Sequence, residues 1–408
     1  MNSYDVVIVG GGHGGAQAAV ALRSGGYDGT IAIIGDESEM PYERPPLSKA
    51  YLSGASTFDK LLMRPVAFWD TQQVRFHLGE RVMHVNPDRK VVTLNGGESI
   101  QYGNLIWSAG AQARRLSCPG GDLENVTSIR DRADIEYLKS RLTSFNEIVV
   151  IGGGYIGLES AAVLTKLNKK VTLLEAQNRV LARVAGEELS RFFEAKHRSA
   201  GVDIRLNVGV RDIVSENGLA TGVRLESGEI LPCDCVIVGI GILPNIEALT
   251  FSGVEVGNGV HVDKYCRTNL QSIYAIGDCA AHQNSYAPSN DFIRIESVQN
   301  AVDMANSAAS CIIGSDRPYN SLPRFWSDQY NLKLQTLGLS IGHDETCIRG
   351  SMNEESFTVV YLKNKKAIAV DCVNNPKDFA QAKNLITNQL ELDIQKLQNT
   401  EYTFKEFS

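Results

Sequence analysis

Short apolar runs alternate with an alanine-rich segment at the start of the chain. The β-branched run Val6–Val9 predicts a buried parallel strand, and the glycines that follow it lead into a predicted helix over residues 16–23. A second apolar run, residues 30–34, predicts another strand, which ends at Gly35-Asp36. This order of strand, glycines, helix and strand is typical of a unit that binds a dinucleotide.

The glycines of this first loop have separate roles in such a unit. Gly10 permits the tight turn, Gly12 lets the backbone approach a pyrophosphate, and Gly15 lets the helix pack closely on its strand. The helix then points unpaired N–H groups at the phosphates. Asp36 follows the glycines by about twenty residues, where a ribose hydroxyl needs an acceptor.

The same pattern occurs again in the middle of the chain. Residues 147–157 repeat the opening stretch almost residue for residue, and they precede a predicted helix (158–166) and a predicted strand (170–174) that ends at Glu175. The repeat has its own glycines, Gly152, Gly154 and Gly157. Two complete units predict two dinucleotide cofactors, one held permanently and one exchanged.

Glu175 indicates which nicotinamide is used. A carboxylate at this strand end accepts from the free 2′-hydroxyl of NAD and repels the 2′-phosphate of NADP, so the pattern favours NADH. Arg179 and Arg183 follow on the next segment, where they either bind the pyrophosphate or tolerate a 2′-phosphate.

Residues 41–49 form a proline-rich segment close behind the first unit. Its prolines argue against regular helix, and Arg44 and Lys49 are placed to reach a bound cofactor. An ordinary surface loop is the alternative interpretation.

Further predicted strands end in small or acidic residues. A strand that ends in Ala109-Gly110 lets its backbone pass close to a cofactor. The run 233–238 leads into Gly239-Ile240-Gly241, and the run 273–276 leads into Gly277-Asp278, whose carboxylate is placed either for a flavin ribityl chain or for a turn or N-cap. The other predicted elements are paired strands at 79–84 and 90–94, a helix at 297–313, a linker at 318–323, strands at 333–339, 356–362 and 367–370, and a helix at 376–387.

Composition narrows the class of protein. The 408 residues, 43% hydrophobic and 21% charged, predict a globular chain of two or three domains, and the net charge of −7 argues against nucleic acid as a partner. No apolar run reaches the length of a membrane span and the first strand begins near Met1, so a cytoplasmic protein is expected. The eight cysteines contain no Cys-x-x-Cys pair, which favours reduced structural thiols and no metal site.

Five motifs together resemble the FAD-dependent ferredoxin reductases of bacterial Rieske dioxygenase and P450 systems, of the putidaredoxin reductase and biphenyl-dioxygenase reductase type. They are residues 10–15, residues 44–49, residues 152–157 with Glu159, Gly277-Asp278 and residues 326–329. The resemblance covers the whole chain and implies an α/β, glutathione-reductase-like fold with a C-terminal α+β domain. The implied domains are FAD-binding (1–112 and 244–320), NADH-binding (113–243) and C-terminal (321–408).

The resemblance also implies the residues of the site. Lys49 approaches flavin N5 and pairs with Glu159 near the nicotinamide, and these two are the candidate catalytic residues. Trp326, which by composition alone is expected in the core, would lie near the reacting rings. The expected FAD contacts are Gly10, Gly12, His13, Gly14, Gly15, Asp36, Arg44, Lys49, Val82, Ala109, Gly110, Arg130, Gly277, Asp278, Glu296, Val298 and Trp326. The expected NADH contacts are Gly152, Gly154, Tyr155, Ile156, Gly157, Glu159, Glu175, Arg183, Gly239, Ile240 and Gly241.

Two features depart from related families. His13 occupies a loop position that is often small or apolar, where it either contacts FAD phosphate or faces solvent. The Cys-x-x-x-x-Cys pair of disulfide reductases is absent from the sequence, so electrons should leave the flavin directly for an external acceptor.

The sequence hypothesis is therefore an NADH:ferredoxin oxidoreductase that passes electrons through FAD to a [2Fe–2S] ferredoxin. Arg64, Arg324 and Lys333 are candidate docking cations. The alternatives are an NADH oxidase, a reductase of rubredoxin or of a quinone-like acceptor, and a redox-responsive binding protein similar to apoptosis-inducing factor. The particular ferredoxin and oxygenase, and the choice between monomer and homodimer, are not encoded in any motif.

Overall fold

The computed structural model describes residues 1–407, which form two compact units. The first unit contains Met1–Glu43, Asp59–Gln112 and Leu243–Phe325. The second contains Arg44–Phe58, Ala113–Ile242 and Trp326–Ser408. The chain therefore passes between the units several times, and each unit is assembled from segments that are distant in sequence.

The strands are β1 (Asn2–Val9), β2 (Ile31–Gly35), β3 (Val74–Leu78), β4 (Val82–Asn86), β5 (Val91–Leu94), β6 (Ser99–Trp107), β7 (Ala111–Ala113), β8 (Val126–Thr127), β9 (Glu147–Ile151), β10 (Lys170–Glu175), β11 (Asp203–Leu206), β12 (Val210–Glu216), β13 (Leu219–Leu225), β14 (Ile230–Pro232), β15 (Cys235–Val238), β16 (Ile242–Pro244), β17 (Val256–Gly257), β18 (Gly259–Val262), β19 (Ile273–Ala275), β20 (Ala280–His282), β21 (Arg324–Gln329), β22 (Leu332–Gly338), β23 (Glu345–Ser351), β24 (Ser356–Lys363) and β25 (Lys366–Val373). The α-helices are α1 (His13–Ser24), α2 (Val66–Thr71), α3 (Arg132–Arg141), α4 (Tyr155–Lys166), α5 (Glu187–Ser199), α6 (Glu247–Thr250), α7 (Val298–Ile312), α8 (Pro376–Thr387) and α9 (Ile394–Gln398). A π-helix covers Leu47–Tyr51, and 3₁₀ turns cover Phe58–Leu61, Gly277–Cys279 and Phe404–Phe407.

A parallel sheet organises the first unit. β3, β2, β1, β6 and β19 lie side by side in parallel, and β5 and β4 extend from β6 as an antiparallel arm. The run Val6–Ile8 has no exposed surface, as expected of a strand covered on both faces. Burying each such side chain contributes about 1.5–3 kcal/mol, so this strand anchors the core.

The second unit repeats this plan. β11, β10, β9, β15 and β8 form another parallel sheet, with α4 following β9 as α1 follows β1. An antiparallel sheet of β12, β13 and β14 accompanies it. The internal repeat read from the sequence is thus a repeat of structure.

The C-terminal part of the second unit is an antiparallel sheet in the order β21, β22, β25, β24, β23. Helix α8 packs against β25 and β22. Its N-terminus is capped by the Asn375 side chain, which accepts from the Asp378 N–H, and Pro376 occupies the first helical position.

Most predicted elements are confirmed, and one expectation, the buried position of Trp326, is wrong. Composition alone predicts that Trp326 lies in the core, but the residue is 38% exposed, because β21 alternates and turns Ser327 and Gln329 inward instead. The prolines keep residues 41–46 out of helix, yet a π-helix begins at Leu47, directly after Pro46, and is interrupted at Lys49. Strands β12–β14 and β23 lie outside the glycine-loop pattern and were not predicted from the sequence.

Candidate functional site

The first glycine loop joins β1 to α1. At Gly10, with φ +109°, a Cβ would lie 2.2 Å from the Ser108 carbonyl oxygen, and at Gly15 a Cβ would lie 1.9 Å from the Gly10 carbonyl oxygen. At Gly12, by contrast, a Cβ would meet no atom within 4 Å. Gly10 and Gly15 are therefore required by packing, whereas Gly12 faces open space.

That open space adjoins the N-terminus of α1. Gly12 is the N-cap residue, and no side chain caps the helix there. A pyrophosphate binds at a helix N-terminus of this kind, where backbone N–H groups point at the anion. The loop fits the dinucleotide expected there.

The second glycine loop, between β9 and α4, has the same geometry. A Cβ at Gly152 (φ +109°) would lie 2.3 Å from the Gly239 carbonyl oxygen, and one at Gly157 would lie 2.0 Å from the Gly152 carbonyl oxygen. A Cβ at Gly154 would again meet nothing within 4 Å, and no side chain caps α4. This loop also fits a dinucleotide, and it brings Gly239 and Ile240 beside Gly152.

Glu175 closes the second loop from the end of β10. Its Oε2 accepts from the Gly153 N–H at 2.7 Å, and its Oε1 accepts from the Gln177 N–H at 2.8 Å. Arg183 lies near Gly241, since a Cβ there would be 3.5 Å from the Arg183 Nη1. The predicted NADH residues Gly239–Gly241, Glu175 and Arg183 are thus grouped around the loop.

Arg179 has a different role from the one considered in the sequence. Its guanidinium donates to the carbonyls of Ala182 and Ala185 at 3.1 and 2.8 Å and to the Ser190 hydroxyl at 2.6 Å. These bonds fix the segment that carries Arg183. The structure therefore gives Arg179 a scaffolding role and does not support it as a phosphate ligand.

The first unit holds most of the predicted FAD residues. The Ala109 carbonyl accepts from the Asn245 side-chain amide at 2.9 Å, which fixes the strand end beside Gly10. The Arg294 guanidinium donates to the Asp278 carbonyl at 2.7 Å and pairs with the Glu296 carboxylate at 2.8 Å. The remaining members lie as follows: His13, Gly14 and Gly15 at the start of α1, Asp36 exposed after β2, Val82 buried at the start of β4, Gly110 after β6, Gly277 in a 3₁₀ turn, and Val298 as the first residue of α7.

The other predicted FAD residues belong to the second unit. Arg44 donates to the Arg130 carbonyl at 3.0 Å, so the proline-rich segment and the start of α3 are held together there. Trp326 projects from β21 with its partly exposed ring. The structure thus distributes the predicted FAD set over both units.

The second unit contains an ion pair whose carboxylate is buried. The Lys49 Nζ lies 2.6 Å from the Glu159 Oε2, and the Glu159 side chain is 2% exposed. Ser48 donates to the same oxygen at 2.5 Å, and Ser327 donates to the Glu159 Oε1 at 2.6 Å. Both carboxylate oxygens therefore have partners, as a buried charge requires.

A cavity of about 230 Å³ opens beside this pair. It is lined by Lys49, Glu159, Ala162, Lys166, Asp328 and Tyr330, among others. Because Glu159 lies in the first turns of α4, the ion pair is attached to the second glycine loop through one helix.

A second buried carboxylate lies in the C-terminal sheet. Asp371 accepts from the Thr336 hydroxyl and from the Tyr361 hydroxyl, both at 2.6 Å, and the Tyr361 oxygen accepts from the Gly186 N–H at 3.0 Å. Burial raises the pKa of Asp371 to about 6, although these two donors oppose the shift.

The sequence predicted no role for several of these residues. Ser48, Ser327 and Gln329 lie within the recognised motifs 44–49 and 326–329, whereas Asp371 lies in β25, a strand that is buried on both faces and shows no alternation. The cysteines carry no such role: all eight are free thiols, and all but Cys118 are buried. Within residues 1–407 no helix has the length and apolar character to cross a membrane, and no cluster of His, Cys, Asp or Glu could hold a metal.

Comparison with known proteins defines the class. Residues 4–305 match the family described as pyridine nucleotide-disulphide oxidoreductase, and residues 324–408 match the reductase C-terminal family. The chain belongs to the pyridine nucleotide-disulphide oxidoreductases, whose members of this kind use FAD and NAD(H). The α/β fold with two dinucleotide-binding units and a C-terminal domain is thereby confirmed.

Within that family, the chain resembles ferredoxin reductases along its whole length. It is 50% identical to the ferredoxin reductase subunit of 5,5′-dehydrodivanillate O-demethylase from a Sphingobium species, covering 100% of this chain and 99% of the relative. The ferredoxin reductase for the CYP199A2 system of Rhodopseudomonas palustris has a TM-score of 0.95 at 36% identity, covering 98% of this chain and 99% of that one. The reductase in the covalent putidaredoxin reductase–putidaredoxin complex has a TM-score of 0.94 at 38% identity, covering 100% and 98%. The resemblance read from the five sequence motifs is confirmed, and the chain is an oxidoreductase of the ferredoxin reductase group.

Proposed function

We propose that the protein oxidises NADH and delivers the electrons, through a permanently bound FAD, to a [2Fe–2S] ferredoxin that supplies an oxygenase. The observation that carries this proposal is the Lys49–Glu159 pair, buried and attached through α4 to a complete second glycine loop. FAD, when bound, supplies the chemistry of accepting a hydride and releasing electrons singly.

The chain's own residues bind and orient. Gly12 and the N-terminus of α1 hold one pyrophosphate, with Asp36 for the ribose, and Gly154 and the N-terminus of α4 hold the other. The Lys49 ammonium, held by Glu159, places a positive charge where negative charge develops during the reaction. The remaining FAD and NADH contacts are proposed as the sequence predicted them. The proposed domains are FAD-binding (1–112 and 244–320), NADH-binding (113–243) and C-terminal (321–408).

Glu175 is proposed to select NADH over NADPH. Its carboxylate is fixed at the loop by two backbone N–H groups, so it stands ready for a 2′-hydroxyl and opposes a 2′-phosphate. The Glu175→Ser variant should lower the ratio of kcat/KM for NADH over NADPH by tenfold or more, which corresponds to about 1.4 kcal/mol. Glu147→Ser, at the opposite end of the same parallel sheet, serves as the matched control, and an unchanged ratio in Glu175→Ser would contradict the assignment.

The acceptor is proposed from the relatives, among them an O-demethylase reductase subunit and a reductase solved with putidaredoxin. Arg64, Arg324 and Lys333 are the proposed docking cations for an acidic partner. A cytoplasmic location is proposed because the free thiols suit a reducing compartment.

Stopped-flow mixing tests the whole function. The flavin-loaded protein should be bleached rapidly by NADH, and [2Fe–2S] ferredoxin should reoxidise it much faster than oxygen does. Reoxidation by oxygen alone would replace the proposal with an NADH oxidase. A persistent charge-transfer complex with NADH-induced dimerisation would replace it with a redox-responsive binding protein.

A further inference from the structure

A chain of buried polar side chains leads away from Glu159 on the side opposite Lys49. Ser327 donates to the Glu159 Oε1 at 2.6 Å, and the Gln329 Nε2 lies 3.1 Å from the Ser327 hydroxyl. The Gln329 Oε1 lies 2.8 Å from the His197 Nε2, and the His197 Nδ1 lies 3.0 Å from the Tyr330 hydroxyl. The chain thus joins α4, β21, α5 and the turn after β21.

The direction of every hydrogen bond follows from the carboxylate. A carboxylate only accepts, so the single proton of the Ser327 hydroxyl points at Glu159, and Ser327 can only accept from Gln329. Gln329 must therefore present its amide nitrogen to Ser327 and its oxygen to His197. The oxygen accepts the His197 Nε2–H, which leaves the Nδ1 as an acceptor for the Tyr330 hydroxyl.

Burial keeps His197 and Tyr330 in the protonation states that these hydrogen-bond directions require. His197, Ser327 and Gln329 are 0%, 0% and 1% exposed. Burial lowers the pKa of His197 to about 4, so the ring is neutral with one donor and one acceptor. Burial also raises the pKa of Tyr330 to about 12, so its hydroxyl keeps the proton it donates.

These polar groups occupy costly positions. Ser327 and Gln329 take inward places on β21, where apolar side chains would pack without hydrogen-bond partners to satisfy. Tyr330 adopts φ +57°, a conformation that few residues other than glycine take readily. A fold that needed only a core at this place would not require four aligned donors.

We propose that Ser327, Gln329 and His197 are positioning residues that hold the Glu159 carboxylate through a directed hydrogen-bond chain, and so fix Lys49 for hydride transfer. This inference rests on the proposed function only in its account of what Lys49 does. Without the chain, the Glu159 Oε1 is unsatisfied and the carboxylate turns, so that Lys49 loses its fixed place.

The first test is the tautomer of His197 in the flavin-loaded protein. Nitrogen-15 NMR of histidine-labelled protein, assigned with His197→Gln, should show the neutral Nε2–H tautomer in the wild type. A neutral Nδ1–H tautomer, or a doubly protonated ring at neutral pH, would refute the directed chain. This measurement involves no turnover, so its result is independent of the proposed function.

The second test is reduction of the bound flavin by NADH in the stopped-flow instrument. Gln329→Glu keeps the side-chain volume but replaces the amide donor by an acceptor, and Gln329→Leu removes both groups. Each should lower the limiting rate at saturating NADH at least tenfold, while the Kd for NADH changes less than twofold. Gln335→Glu, on the neighbouring strand β22, is the matched control and should leave both values unchanged.

A third comparison separates positioning from general loss of structure. If the chain acts as one unit, the Ser327→Ala/Gln329→Leu double variant should have the limiting rate of Ser327→Ala alone. Multiplied effects, or limiting rates equal to the wild type, would overturn the proposal. A wild type that NADH does not reduce would refute the proposed function and leave the tautomer test to decide the chain.

Discussion

At the residue scale, the site depends on how one buried charge is satisfied. Glu159 is almost fully buried, and three side chains donate to it: Ser48, Lys49 and Ser327. Removing a charge from water is expensive, and the cost is offset only when the partner and the hydrogen bonds are all in place. The Glu159 carboxylate is therefore held in one geometry.

Removing one partner of the Lys49–Glu159 pair should destabilise the protein more than removing both partners. Lys49→Met leaves a buried carboxylate without its cation and should lower the free energy of unfolding by about 3 kcal/mol. The Lys49→Met/Glu159→Gln double variant should recover most of that loss but not the rate of flavin reduction. Urea unfolding of the flavin-loaded protein measures the stability, and stopped-flow mixing with NADH measures the rate of flavin reduction.

The exposed pair Lys170–Glu147, 2.6 Å apart, provides the control. Lys170→Met should cost no more than about 1 kcal/mol, because exposed ion pairs contribute little. Equal losses in Lys49→Met and Lys170→Met would show that burial of Glu159 has no energetic consequence.

At the element scale, the same strand–loop–helix unit is built twice from the same glycine pattern. In each loop the first and last glycines are required by backbone contacts, whereas the middle one faces open space at the end of an uncapped helix. Packing thus depends on the first and last glycines of the motif, whereas ligand binding depends on the middle one. Substitutions at the middle glycine can therefore test ligand binding without disturbing the packing.

Gly12→Ala and Gly154→Ala should both fold, since their φ angles of −79° and −78° suit alanine and the added methyl meets no protein atom. The methyl instead occupies the space a pyrophosphate needs. Gly12→Ala should be purified with little flavin, while Gly154→Ala should keep its flavin and show a KM for NADH raised on the order of tenfold, equivalent to about 1.4 kcal/mol.

Flavin content by absorbance and NADH kinetics check the two glycine variants, with Gly96→Ala, another uncrowded glycine, as the control. The assignment of the two loops is wrong if Gly154→Ala loses flavin while Gly12→Ala keeps it.

At the scale of the whole molecule, buried titratable groups in the two units respond to pH in opposite directions. Burial raises the pKa of Asp371 to about 6 in the second unit and lowers the pKa of His282 to about 4 in the first. Folded Asp371 keeps its proton between pH 4 and 6, where the unfolded chain has released it. Stability from Asp371 is therefore present at low pH and lost as pH rises to 6.

His282 has the opposite sign. The unfolded histidine takes up a proton below about pH 6.5, while the folded one stays neutral to about pH 4. Stability from His282 is therefore present above pH 6.5 and lost as pH falls towards 4.

Substituting Asp371 and substituting His282 should therefore change the pH dependence of the free energy of unfolding in opposite directions. Relative to the wild type, Asp371→Asn should gain roughly 3 kcal/mol of stability between pH 4 and 7, at about 1.4 kcal/mol per pKa unit. His282→Gln should gain stability relative to the wild type as pH falls from 6.5 to 4. Unfolding measured across this pH range tests both. Parallel curves for the wild type and the two variants would contradict the burial argument.

The sequence by itself determined the repeated strand–glycine–helix units, the position of Glu175 at the end of the second strand of the repeat, and most elements of the C-terminal part. These follow from local rules: an apolar run predicts a buried strand, and a glycine is needed where the chain turns tightly. The family resemblance supplied the pairing of Lys49 with Glu159, which the structure places 2.6 Å apart.

Only the tertiary structure decided what surrounds that pair. Ser327 lies 168 residues from Glu159, and His197 lies 132 residues from Gln329, so no periodicity links them. The sequence drew attention to Trp326, whose size suggests a core or a cofactor contact, but the alternation of β21 turned its neighbours Ser327 and Gln329 inward. The partners of a buried charge depend on which distant strands and helices pack together, and local sequence patterns do not specify that packing.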